Sequence, residues 1–179
     1  MVKAKAKAAL TEQGLKYITA LTDPQIRTLL KKDVLQLNLF DETLQEVEDG
    51  AQRLILRRNE ALRQELATRR QDKVATLQQK VAARNAYVQK ATRATPEAGQ
   101  RQLTQWAKQH KLTAFITLAR QDTQLIIEID EAKQAEAALL DGCSVLETDV
   151  AREMMDASTV DARYRDLQRV ERDFRTMKC

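Results

Sequence analysis

The chain has 179 residues, room for one domain or one domain with an insertion, and 43% of them are hydrophobic, enough to build a core. Aromatics are only 4%, glycines number 4 and prolines 2, so a collagen-like or disordered chain is excluded and helix is favoured over sheet. The net charge is +4, and two distant cysteines, Cys143 and Cys179, with one histidine, His110, offer no zinc-ligand spacing.

The start, "MVKAKAKAAL", has lysines but no following apolar run of signal-peptide length. No stretch approaches the ~20 apolar residues that span a bilayer. The expectation is a cytoplasmic protein with no membrane partner, and a Cys143 that is small and buried rather than nucleophilic.

Residues 4–13 form the first helical segment. "LKYITAL" (15–21) reads as a buried strand, short and β-branched, with Gly14 before it. "TDPQIRTLLKKD" opens a helix, with Asp23 expected as N-cap and Pro24 at the first helical position. Asp49-Gly50 marks a hairpin between arms at 44–48 and 52–58. On the second arm Leu54 and Leu56 share one face, while Arg53, Ile55 and Arg57 share the other. Ile55 breaks the alternation, as in a strand covered on both sides.

From Asn59 to about Lys90 there is no Pro or Gly. Leu62, Leu66, Val74, Leu77, Val81 and Val88 make a narrow apolar stripe, wide enough for one neighbour. A second helix starts at Thr95-Pro96 with Trp106 as its anchor, antiparallel to the first. "AFITLAR" and "LIIEID" form another hairpin across "QDTQ". A short helix, the strand "GCSVLETD" and a final helix capped by Asp156 or Ser158 complete the chain. On the final helix Leu167, Val170, Phe174 and Met177 form the apolar stripe expected to face the core.

The charge is concentrated. From Arg57 to Arg93 there are ten Arg or Lys against three acids, a net +7. Arg57, Arg58, Arg63, Arg69, Arg70 and Lys73 are therefore candidate contacts to an anionic partner, with DNA the commonest. An ordinary solvated helix face would have the same composition.

Tyr164, Glu171 and Lys178 stand seven residues apart in "YRDLQRVERDFRTMKC", so they project from nearly one side of the final helix. An unremarkable reading exists: Glu171 pairs with Arg175, Tyr164 is half-buried and Lys178 is solvated. The tail also resembles the signature of a group of bacterial insertion-sequence DDE transposases: Tyr, two residues, Arg, three residues, Glu, six residues, Lys. Tyr164, Glu171 and Lys178 are in register, and Leu167 stands where the group has Arg. "LKYITALTDPQIRTLL", "DGAQRLILRRNEALRQELATRR" and "LDGCSVLETDV" are similar to that group in the same order.

The resemblance implies an α/β, helix-rich chain with an incomplete RNase H-like core: residues 1–22 and 141–179 in the core, and an inserted subdomain of hairpins and long helices over 23–140. It implies metal-dependent DNA cleavage and strand transfer in the intact parent, with Glu171 as the third carboxylate holding Mg2+. Tyr164 and Lys178 would hold DNA phosphates. The partners implied are DNA and other transposase chains. No position here matches the two catalytic aspartates. The chain therefore reads as a truncated transposase, inactive alone, and its standing as an enzyme is left open. The competing reading is a stand-alone helical module that binds nucleic acid or protein.

Overall fold

The computed structural model describes residues 4–40, 44–50, 52–91 and 95–177. It contains α1 (Ala4–Glu12), β1 (Ile18–Ala20), α2 (Asp23–Lys31), β2 (Gln45–Asp49), β3 (Gln52–Arg58), α3 (Glu60–Lys90), α4 (Pro96–Gln109), β4 (Ile116–Gln121), β5 (Gln124–Ile129), α5 (Glu131–Ala138), β6 (Cys143–Thr148) and α6 (Ala157–Thr176). The class is mixed α/β, with two small antiparallel sheets.

The chain divides into two compact units, Met1–Glu60 with Gly142–Cys179, and Ala61–Asp141. The first holds the four-stranded sheet β1-β6-β3-β2. β3 is a central strand, paired with β2 through Leu54↔Val47 and with β6 through Ile55↔Leu146. That position accounts for its run of buried residues from Arg53 to Leu56, the break in alternation at Ile55 included. The Asp49-Gly50 turn forms where expected, with Gly50 at φ +63, a conformation that a side chain disfavours.

Ile55 and Leu146 face α6, where Val160 is fully buried against them. The opposite face carries Leu54, Leu56, Val145 and Glu147, all buried. The unit boundary falls at Glu60, whereas the sequence reading starts the inserted part at 23. Residues 44–58 group with 142–148 because β3 exchanges a full ladder with β6.

Thr22, not Asp23, is the N-cap of α2. Its backbone N–H and its hydroxyl both donate to Gln25 Oε1, at 2.9 and 2.8 Å. Asp23 and Pro24 then occupy the first turn, where Asp23 suits the positive end of the helix and Pro24 lacks an N–H that would go unused.

In the second unit Leu77, Val81, Leu103, Ala107, Leu112, Phe115, Ile116, Leu118 and Leu125 form one core, with Trp106 packed against it. Of the six stripe residues on α3, only Leu77 and Val81 are buried, and Val74 packs beside them. The β4–β5 hairpin turns at Asp122, whose φ is 54. Side-chain amides tie it to the helices. Asn85 donates to Leu125 O at 3.0 Å and accepts from Leu125 N–H at 2.9 Å. Gln100 donates to Leu118 O at 2.7 Å. A two-stranded sheet has two open edges, and these amides satisfy backbone groups along them.

Candidate functional site

Asp156 caps α6, accepting from Thr159 N–H at 2.7 Å and from the Ser158 hydroxyl at 3.0 Å. The Thr159 and Ser158 bonds hold the Asp156 carboxyl below its ordinary range. Arg53 fixes the segment that leads into the helix. Its guanidinium donates to Val150 O at 2.6 Å and to Met155 O at 3.0 Å, and it forms a two-pronged pair with Glu46 at 2.8 and 3.0 Å. The Arg53 bond lowers the Glu46 carboxyl pKa against the opposing effect of burial. Arg57 and Arg165 both reach Asp161, which is buried in the first turns of α6.

Tyr164 is partly buried against Ile55, Leu146 and Val160. Glu171 is exposed, two turns further along the same flank. Among the described residues no hydrogen bond or ion pair engages the Glu171 carboxylate; the expected pair with Arg175 is not formed. Lys178 and Cys179 lie outside the described residues. Tyr164 lines a cavity of about 370 Å³ with Lys16, Tyr17, Ile18, Val150, Met155, Arg163 and Leu167. Lys16, Arg163 and the Tyr164 phenol border this cavity, whereas the hydroxyl of Tyr17 is turned to Glu147; no carboxylate is among the described residues that line it.

The stripe Leu167, Val170, Phe174 and Met177 is not a core face. These side chains are 51%, 48%, 58% and 71% exposed, because the sheet that buries Val160 reaches only the first turns of α6.

The candidate DNA contacts divide by environment. Arg70 is held by Asp141 at 2.6 Å with both side chains largely buried, a structural pair. Arg57 is engaged with Asp161. Arg58 donates to Cys143 Sγ at 3.4 Å and lies 5.8 Å from the centre of the Phe40 ring. Cys143 is thus partly exposed rather than buried, because β6 begins there at the edge of the unit. Arg69 pairs with Glu65 on the helix surface. Arg63, Arg69 and Lys73 are exposed on α3.

Sequence reasoning missed a polar cluster on the other face of the sheet. Glu147 Oε1 accepts from Lys7 Nζ at 2.6 Å and from the Tyr17 hydroxyl at 2.7 Å. Gln52 donates to the Tyr17 hydroxyl at 3.2 Å, and Asp149 accepts the Tyr17 N–H at 2.9 Å. Burial, and next the bond to Glu147, push the Tyr17 phenol well above its ordinary value. A cavity of about 450 Å³ lies beside the cluster. Its cations are already matched, Lys7 by Glu147 and Lys16 by Asp149 at 3.7 Å, so the cluster fastens α1 and β1 to β6. The one available signal was a glutamate at an inward position of an apolar strand.

No group of three or more His, Cys, Asp or Glu among the described residues is placed to hold a metal ion. No helix among them is long and apolar enough to cross a membrane. No family model matches the chain, and neither a curated protein nor a solved structure shows a significant match to it.

Proposed function

We propose that this chain is part of an insertion-sequence DNA transposase and contributes a DNA-contacting helix with the third carboxylate of the catalytic set. The observation that carries the reading is the flank of α6: Tyr164 borders a cavity with Lys16 and Arg163, and Glu171 follows two turns on with its carboxylate open. The Tyr164 phenol and the Arg163 guanidinium suit a phosphate oxygen, with Lys16, half-exposed and only loosely paired with Asp149 at 3.7 Å, beside them. Arg163 also offers a guanidinium near the place where Leu167 replaces the arginine of the resembled signature.

A second observation supports an RNase H-like core carrying an insertion. The chain leaves the four-stranded sheet after Arg58 and returns at Cys143, which is the register partner of Arg58. Asn59 N–H donates to Gly142 O at 2.8 Å, so the two ends of the 61–141 unit meet. A segment whose ends meet can be inserted into a parent fold with little disturbance.

The residues present do not fit a magnesium pair. Two metals about 4 Å apart need several converging hard oxygen ligands, and Glu171 is a single carboxylate. The reaction assigned to these residues is therefore DNA binding. Fluorescence anisotropy with a random-sequence duplex tests it. Affinity should fall steeply from low to high salt. Arg163→Ala should weaken it and flatten the salt dependence by about one unit of slope. Undetectable binding at low salt, or affinity indifferent to salt, refutes the proposal.

A further inference from the structure

Lys16 stands between two cavities. It lines the cavity of about 370 Å³ that holds Tyr164 and Arg163, and also the cavity of about 450 Å³ beside the Tyr17 cluster. Asp149 lines the second of these and not the first. The two lysine–carboxylate pairs at this end of the sheet differ in kind. Lys7 Nζ is 2.6 Å from Glu147, and both side chains are largely buried, at 16% and 8% exposure. Lys16 Nζ is 3.7 Å from Asp149 Oδ2, and the lysine side chain is 52% exposed. A pair that long and that open to water contributes little, so its ammonium leaves at small cost. Lys16 carries its charge on a flexible stem, and among the described residues it makes no other ion pair.

Asp149 does not depend on the lysine. Its other oxygen, Oδ1, accepts the Tyr17 N–H at 2.9 Å. That bond fixes the backbone next to Lys16 and leaves the carboxylate with a partner when the ammonium turns away. Given the DNA reading of the Tyr164 cavity, we propose that Asp149 competes with DNA phosphate for Lys16 and so restrains the affinity of that site. In the free chain the ammonium lies toward Asp149. On binding it turns to a phosphate oxygen beside Arg163, exchanging one ionic contact for another. Asp149 is a positioning residue: it touches Lys16 and the Tyr17 backbone, and it acts on DNA through the lysine.

The test is a double-mutant cycle on the full chain, read by anisotropy with the random-sequence duplex at low salt. Asp149→Asn keeps an oxygen for the Tyr17 N–H and removes the charge that faces Lys16. It should melt close to the parent chain and bind duplex about two- to five-fold more tightly, the worth of one exposed ion pair. Asp149→Ser should give the same gain. Lys16→Gln alone should weaken binding, and adding Asp149→Asn to it should change nothing further. Unchanged or weaker affinity in both neutral variants at position 149 overturns the proposal and leaves the DNA reading standing. An equal gain with and without Lys16 overturns it too, since Asp149 would then repel phosphate directly. Absence of duplex binding in the parent chain ends the DNA reading, and this restraint with it.

Discussion

Replacing Arg53 with methionine should unfasten the segment that aims α6. Arg53 is 6% exposed, and its guanidinium makes four hydrogen bonds, two to Glu46 and two to the carbonyls of Val150 and Met155. Methionine fills part of the volume but leaves the Glu46 carboxylate, itself only 11% exposed, without its counter-charge. Breaking such a pair from one side costs about 3–5 kcal/mol. The two carbonyls lose charged donors, each bond worth about 1.5–3 kcal/mol, and water recovers part of this at the loop surface. The net expectation is a loss of about 3–5 kcal/mol, read from urea unfolding by circular dichroism. Arg53→Met with Glu46→Leu should recover a large part, because no buried charge is then left alone. Hydrogen exchange in Arg53→Met should rise over residues 150–176 more than over β4 and β5. A loss below about 1 kcal/mol, or exchange unchanged at 150–176, would refute the role given to Arg53.

Four further outcomes follow from the same contacts. The Tyr17 pKa lies above the ordinary 10.0, so its contribution to stability is intact below pH 10 and is lost as pH rises through the folded value. The difference in tyrosinate absorbance between the parent chain and Tyr17→Phe should accordingly appear only with unfolding, and a difference titrating near pH 10 in the folded chain contradicts it. Glu46 has the reverse sign: its pKa is depressed below the ordinary 4.5, so its stabilisation persists above that pH and fades as pH falls further, and Glu46→Gln should flatten the acid limb of the stability curve. Asp156→Ala removes a cap that holds the Thr159 N–H and should lower the melting temperature, with Asp156→Ser close to neutral. Leu167→Arg should tighten duplex binding without a stability penalty, since Leu167 is 51% exposed and borders the cavity of Tyr164; a lower melting temperature would contradict the placement.

Local chemistry made much of this fold legible. Gly50 marked the first hairpin, the Asp122 turn the second, and Ile55 flagged a strand covered on both faces. Contacts distant in sequence were not legible. Arg70 looked like one more cation on a basic helix, and only the return of the chain at Asp141 makes it a structural ion pair. Glu147 and Lys7 are 140 residues apart, and nothing near either names the other. The stripe of α6 had the right period for a buried face. Period reports amphipathicity, however, and what covers the face depends on how far the sheet extends. On the candidate site, sequence placed Tyr164 and Glu171 on one flank but could not show that Lys16 and Arg163 would join Tyr164 around a cavity.

The central claim is that DNA lies along the Tyr164 flank of α6. A photoreactive benzoylphenylalanine at position 164 of the full chain, irradiated with a labelled duplex, tests it at the residue concerned. The control position is Ile126, an exposed site on β5 in the other unit. The account predicts a protein–DNA crosslink from position 164 that disappears at high salt and in Arg163→Ala, with little or none from position 126. Crosslinking from 126 as strong as from 164, or none from 164 under conditions where the duplex binds, would contradict it.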